Sequence, residues 1–239
     1  MSQDPEISIV IPAYNEEQVI GNVLKEVCSV TSRMPRKCEI IVVNDRSSDG
    51  TAQVVEKFSS QGVILLDSKN PQGKGGALRT GFDAARGECV VMMDGDGSHQ
   101  AIDIPKLTDE VFRTKGLVIG SRIYGGSQEY TRVRAFGNIL FTWMFGLVHG
   151  RYLSDALNGF KAFHRDIYRK FNYSANGFEI EIELLVNALA LKRSITEVPS
   201  MELSRQGGEV KSRVIRDGFR FLWRIILERF RKRQFKEGS

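Results

Sequence analysis

Short β-branched and apolar runs recur through the first half of this chain, spaced to leave room for one helix between neighbours. They are 7–12 (ISIVIP), 39–45 (EIIVVND), 62–67 (GVILLD), 88–94 (ECVVMMD) and 117–121 (LVIGS). Each is nearly continuous in apolar residues rather than alternating, the pattern of a parallel strand buried on both faces. Amphipathic stretches near 16–31, 50–60, 74–86 and 103–115 lie between them. Strand, helix, strand at this spacing predicts an open α/β sheet with right-handed crossovers. Ligands of such sheets bind at the carboxyl ends of the strands, so the residues just after each run are the ones to interrogate.

The second half changes character. Residues 135–153 are apolar and aromatic, a short piece GFKAFHR follows, and 178–192 (FEIEIELLVNALALK) carries a strong helix pattern. A strand-like ITEVPSMEL leads to a break at Gln206-Gly207-Gly208, then to a long basic helix from about Lys211 to Lys236. The 239 residues fit one large domain plus a tail, divided here as 1–210 and 211–239. With 41% hydrophobic and 26% charged residues, disordered and fibrous classes are excluded. No apolar run reaches the ~18 to 20 residues of a spanning helix, and the start MSQDPE has no signal-peptide pattern. The expected location is therefore cytoplasmic, soluble or peripheral to a membrane. Cys28, Cys38 and Cys89 have no metal-site spacing and read as free, largely buried thiols. Residues 205–239 hold 11 Lys/Arg against 4 Asp/Glu, whereas the rest holds 23 against 25, so the basic character belongs to the tail.

The sharpest signal follows the fourth run: Met93-Asp94-Gly95-Asp96-Gly97-Ser98-His99. Two carboxylates one residue apart at the end of a buried strand repel each other, and the glycines leave room for close approach. A hard divalent cation resolves that repulsion; Mg²⁺ takes one or two carboxylates together with phosphate oxygens and water. An EF-hand counted from Asp94 would need Gly at His99 and a carboxylate at Pro105, and fails. Gly73-Lys74-Gly75 lacks the spacing of a Walker loop, and no G-x-G-x-x-G follows the first run. Phosphohexomutase-like metal loops share DGDG but need a phosphorylatable serine segment and a longer chain. Elsewhere at strand ends stand Pro12-Ala13-Tyr14-Asn15-Glu16, where Asn15 can open a helix, and Asp45, an acid placed to accept from a ribose or base. The Gly73–Gly76 loop with Lys74 and Arg79 suits a diphosphate wall, and Arg122, Arg132 and Arg134 add cations suited to phosphate.

SIVIPAYNEE, VVNDRSSDGT, GKGGALRTGF, DGDGSH and VIGSR stand in the order seen in family 2 glycosyltransferases of GT-A fold, which the chain resembles over roughly residues 7–220. NGFKAFHRDIY, FEIEIELL and RQGGEVKSR narrow the resemblance to the polyprenyl- and dolichyl-phosphate hexosyltransferase branch. It implies a Rossmann-like, mostly parallel sheet flanked by helices and a metal-dependent, inverting transfer of a hexose to a lipid phosphate. Carried over residue by residue, Pro12, Ala13, Tyr14 and Glu16 would line the nucleotide pocket, and Asp45 would take the base. Asp94 and Asp96 would hold Mg²⁺ or Mn²⁺ on the donor diphosphate, with Lys74 helping to neutralise the leaving group. Arg122, Arg134, Arg205 and Lys211 would meet the acceptor phosphate. Two departures matter. The Gln of dolichyl-phosphate mannosyltransferases at DADLQH is replaced by Ser98, and the GKGGALR block is closer to dolichyl-phosphate glucosyltransferases, which favours a UDP-sugar over GDP-mannose.

The tail places Ile215, Phe219, Leu222, Ile226 and Phe230 along one helical stripe, with Arg213, Arg216, Arg220 and Arg224 largely off it. A basic amphipathic helix of this kind suits a membrane interface, and equally packs on the body. A transferase acting on a non-lipid acceptor is the near alternative. A non-enzymatic membrane- or nucleic-acid-binding module is the distant one; no recognition motif supports nucleic acid, and Asp94 and Asp96 would then lack a purpose.

Overall fold

A strand buried on both faces needs partners on both edges and helices above and below it, and the computed structural model supplies both. It describes residues 4–70, 72–129, 132–205 and 214–231, without the side chains of 132–134, 214–217 and 219. The chain runs β1 (Ile7–Ala13), α1 (Ile20–Thr31), β2 (Cys38–Asn44), α2 (Thr51–Glu56), β3 (Val63–Asp67), α3 (Lys74–Ala84), β4 (Cys89–Met92), α4 (Ile104–Thr114) and β5 (Leu117–Ser121). It continues through α5 (Arg122–Gly125), α6 (Arg132–His149), β6 (Lys161–His164), α7 (Asp166–Arg169), α8 (Ile180–Ala190), β7 (Ile195–Pro199) and α9 (Val214–Phe230). All five apolar runs are strands, as their pattern predicts.

The sheet order is β3-β2-β1-β4-β6-β5-β7. Every pairing is parallel except those of β6, which runs antiparallel to both β4 and β5. This strand, inside the GFKAFHR piece, is the element the sequence pattern does not predict: four residues are too few to show a period. The strand alternation sorts the core. Ile7, Ile9, Ile11, Val42 and Val91 face α1 and α4, whereas Val10, Ile41, Val43, Val90 and Met92 face α3 and α8. Helix α1 buries Ile20, Val23, Leu24 and Val27, one face at helical spacing. Asn15 does not cap it; its backbone is left-handed and its side chain accepts from the Ser48 amide, tying the loops after β1 and β2 together.

Helix α9 packs on α6 and α8. Phe141 and Phe221 meet at 6.1 Å, Ile225 is fully buried, and His149 faces the Ile225 carbonyl at 3.0 Å. Arg224, expected on the polar side, turns inward. It pairs with buried Glu183 and, at 3.0 Å, with Glu228. A charge reaches the interior here only because two carboxylates meet it. Leu222 is half-buried. Arg213 and the side chains of Ile215, Arg216 and Phe219 lie outside the described residues. Outside this packing, α6 leaves Phe136, Ile139, Trp143 and Leu147 exposed, and α9 leaves Trp223 and Phe230. No described helix is long and apolar enough to cross a membrane.

Candidate active site

Strands β1, β2, β4 and β5 point the same way, so Pro12-Ala13, Asn44-Asp45, Asp94–Asp96 and Ser121-Arg122 share one edge of the sheet. The acidic pair is held by its own turn. The Asp94 amide donates to His99 Nδ1 at 3.1 Å, and His99 Nε2 faces Asn158 Oδ1 at 3.2 Å. That pattern assigns a neutral imidazole protonated on Nε2. Its ring stacks on Phe160, so His99 is a buried prop for the turn. Asp96 Oδ1 accepts from both the amide (3.0 Å) and hydroxyl (2.6 Å) of Ser98.

Both carboxylates carry a cation. Lys74 Nζ lies 2.7 Å from Asp94 Oδ1, and Arg205 Nη2 lies 2.7 Å from Asp96 Oδ2. Burial alone would raise the Asp94 pKa, but the Lys74 ammonium, with Arg205 nearby, holds it down at about 2. Lys74 also reaches Glu181 Oε1 at 3.0 Å, and fully buried Lys161 stands 3.5 Å from Glu181 Oε2. Burial pushes the Lys161 ammonium toward its neutral form, with Glu181 opposing. Asp94, Lys74, Glu181 and Lys161 thus form a row of alternating charge from the sheet edge to the interior. Glu181 and Lys161 are site residues the sequence reading missed. The available signal was acidic residues at core positions of an otherwise apolar helix pattern.

The Gly73–Gly76 loop leads into α3 at the sheet edge, and two of its glycines also make room for neighbouring backbone. A Cβ on Gly73 would lie 2.4 Å from the Asn176 carbonyl oxygen, and one on Gly75 2.6 Å from that of Gly177. Gly73 also has a φ of +132° and donates its amide to Asp45 Oδ2 at 2.8 Å. Arg79 is spent on the same neighbour, holding Tyr173 O and Asn176 Oδ1 at 3.1 and 2.5 Å. Gly75→Ala is expected to cost about 2–3 kcal/mol of stability, since backbone must move to admit the methyl. Denaturant unfolding checks this, and an unchanged midpoint refutes the crowding.

On the other side of the acidic pair, Arg122 grips Asp155, fully buried, through Nε and Nη2, both at 2.8 Å, and reaches Glu202 at 3.2 Å. Asn138 adds a donor to Asp155 at 2.8 Å. Burial opposes the charge on Asp155, and Arg122 outweighs it, lowering its pKa. Asp155 is a second residue missed, because one acid in a loop carries no period or motif. The segment 201–205 bridges the two halves of the site: Leu203 N donates to Ser98 O, and the backbone at Glu202 bonds to Gly126 and Gln128. The structure therefore brings Asp94, Asp96, Lys74, Arg205 and Arg122 together, with Pro12, Ala13, Tyr14, Glu16 and Asp45 along the neighbouring strand ends. Lys211 and the Arg134 side chain lie outside the described residues.

Two carboxylates suit a divalent cation, and two cationic side chains already stand on their oxygens. Among the described residues no group of three or more His, Cys, Asp or Glu converges. A metal here would hold to Asp94 and Asp96 and take its remaining ligands from phosphate and water, as Mg²⁺ and Mn²⁺ do with nucleotide diphosphates.

A mostly parallel sheet with an acidic pair and basic side chains at its strand ends is the GT-A type of α/β architecture. The chain belongs to glycosyltransferase family 2: residues 8–171 match the family described as "Glycosyl transferase family 2". A dolichyl-phosphate beta-glucosyltransferase of Drosophila melanogaster is 32% identical over 216 residues, covering 81% of this chain and 65% of that protein. A dolichyl-phosphate hexose transferase of Haloferax volcanii is 28% identical over 206 residues, covering 86% of each. The crystal structure of glucosyl-3-phosphoglycerate synthase from Mycobacterium tuberculosis with Mn²⁺, UDP-glucose and phosphoglyceric acid shares the fold. Its TM-score is 0.70 at 23% identity, covering 94% of this chain and 79% of that one.

Proposed function

We propose that this glycosyltransferase moves a hexose from a nucleotide-diphosphate sugar, a UDP-sugar in preference to GDP-mannose, to polyprenyl or dolichyl phosphate. The reaction inverts the anomeric centre and uses Mg²⁺ or Mn²⁺ at the cytoplasmic face of a membrane. The observation that carries this reading is the acidic pair Asp94/Asp96 flanked by Lys74 on one side and Arg205 and Arg122 on the other. The relatives that act on dolichyl phosphate support the acceptor class, and the solved neighbour with Mn²⁺ and UDP-glucose supports the donor side.

Pro12, Ala13, Tyr14 and Glu16 line the nucleotide end, and Asp45 accepts from the base. A bound divalent cation would neutralise charge on the leaving diphosphate. Lys74 is poised to share that task, since it already bridges to Asp94. The acceptor is a phosphate monoester with a second pKa near ~6, so it arrives largely dianionic at neutral pH. It needs positioning rather than a strong base. This fits the site, where His99 is committed to the Asp94 amide and Asp155 to Arg122. Arg122, Arg134, Arg205 and Lys211 would hold that phosphate for in-line attack.

The lipid end is met by helices α6 and α9. Their exposed Phe136, Trp143, Trp223 and Phe230, beside a basic tail, form the kind of surface that enters the headgroup region of an anionic bilayer. Division into a transferase body, 1–210, and an interfacial segment, 211–239, belongs to the same proposal. Each buried tryptophan contributes roughly 1.5–3 kcal/mol of binding. Trp143→Glu/Trp223→Glu is therefore expected to weaken binding to phosphatidylserine-containing vesicles at least about tenfold. Transfer to a short-chain soluble isoprenyl phosphate should persist. Vesicle sedimentation reads the first, and undiminished binding removes the interface assignment.

The test of the function itself is nucleotide release from a panel of UDP- and GDP-hexoses. It is run with polyprenyl phosphate, with and without Mg²⁺ or Mn²⁺. Release with one donor, dependent on lipid and metal, is the expected result. Release that ignores the lipid points to a soluble acceptor.

A further inference from the structure

Arg205 stands where two roles overlap. Its guanidinium occupies Asp96 Oδ2 at 2.7 Å, the carboxylate oxygen a divalent cation would need, while Asp96 Oδ1 is filled by Ser98. Its backbone is fixed elsewhere: the Arg205 amide donates to Glu129 Oε1 at 2.9 Å, and the Ser204 amide to Gln128 Oε1 at 3.1 Å. Gln128 in turn donates its amide to the carbonyl of Glu202, whose carboxylate touches Arg122. The main chain at 204–205 is thus anchored on the Arg122 side of the site, and only the long side chain of Arg205 crosses to Asp96. A side chain about a quarter exposed, on a fixed base, can leave one partner for another without any backbone movement.

We infer that Arg205 is a metal-displaced latch. In the metal-free protein it neutralises Asp96; when a divalent cation takes Asp96, the guanidinium is driven off by like charge and turns to the acceptor phosphate beside Arg122. The inference rests on the metal-dependent transfer proposed above and adds an order to it, with metal and donor first and acceptor second. The logic is electrostatic. Asp96 is 6% exposed, and a buried carboxylate left bare is costly, so some cation must always accompany it. Arginine suits the exchange, because its planar fork serves carboxylate and phosphate alike and it never loses its charge. Linkage then requires that the factor by which bound metal tightens the acceptor phosphate equals the factor by which that phosphate, by drawing Arg205 off Asp96, tightens the metal.

The experiment is Mn²⁺ binding to the full-length protein without donor or acceptor, followed by calorimetry or by the electron paramagnetic resonance signal of free Mn²⁺. Arg205→Gln is compared with Arg113→Gln, which removes the same charge from an exposed pair with Glu110. Losing a charge-assisted hydrogen bond is expected to tighten Mn²⁺ by about tenfold in Arg205→Gln. Arg113→Gln should change it less than about twofold. The same Arg205 variant should need more short-chain isoprenyl phosphate for half-saturation, so the two ligands respond in opposite directions. In the unaltered protein, Mn²⁺ with UDP should tighten binding of that phosphate. Unchanged or weaker Mn²⁺ binding in Arg205→Gln overturns the latch while leaving the metal site standing. Failure of the unaltered protein to bind Mn²⁺ even with UDP overturns both the latch and the metal-dependent reading.

Discussion

Asp96→Ala is expected to lower the proposed hexose transfer by at least about a thousandfold while the chain stays folded. A carboxylate anchoring the cation on a leaving diphosphate is worth several kcal/mol in the transition state, and each 1.4 kcal/mol is tenfold in rate. The fold is expected to tolerate the change because the charged partner released is not trapped. The Arg205 side chain is 25% exposed and finds water, which leaves buried Ser98 short of one acceptor as the main cost. Thermal unfolding should move by only a few degrees, which separates a catalytic loss from a structural one. Turnover near that of the unaltered enzyme in a folded Asp96→Ala protein sinks the metal assignment.

The second large effect falls on stability. Asp155 is fully buried and takes three donors from Arg122, counting its amide, and one from Asn138. Asp155→Ala takes away the buried carboxylate that the Arg122 guanidinium grips, and breaking a buried pair in this way costs about 3–5 kcal/mol. At roughly 2–4 °C per kcal/mol for a chain of this size, the melting temperature should fall by about 10 °C. Because Asp155 carries a depressed pKa, its contribution is present above its ordinary value near 3.8 and is lost as pH falls through its folded value. The gap between the two proteins, read by chemical unfolding, should therefore narrow toward strongly acid pH. A gap that stays constant down to pH 2 contradicts a charged Asp155. Since Arg122 is also proposed to hold the acceptor phosphate, acceptor half-saturation should rise in the same variant.

Much of the architecture was legible because it is written in local periods. Continuous runs such as EIIVVN read as buried strands, and the amphipathic stretch near 16–31 reads as a helix whose buried face is Ile20, Val23, Leu24 and Val27. The DGDG pair was legible because like charges separated by one residue at the end of a buried strand call for cations, which Lys74 and Arg205 supply here. What stayed hidden depends on residues far apart in sequence. Strand β6 is too short for a pattern and is defined by its neighbours β4 and β5. Glu181 and Lys161 gain meaning only through Lys74, more than eighty residues earlier in each case. At Gly73 and Gly75 the sequence did not reveal the close approach of residues 175–177, which lie about a hundred residues further along the chain. Arg224 was read as part of a polar face and is instead an inward-facing pair with Glu183, since helical position alone does not reveal a buried carboxylate on a neighbouring helix.

The antiparallel β6 also bears on how the chain is assembled as it leaves the ribosome. Strands β1 to β4 can pair with one another as they emerge, because their partners lie within the same stretch of nascent polypeptide. Strand β5 cannot join them, since the place next to β4 belongs to a strand made some forty residues later. Until β6 is threaded between them and β7 closes the far side, both β4 and β5 present open edges, the surfaces most prone to wrong pairing. The row from Asp94 to Lys161 is completed only in that interval, so the chemistry of the site and the last step of sheet closure arrive together.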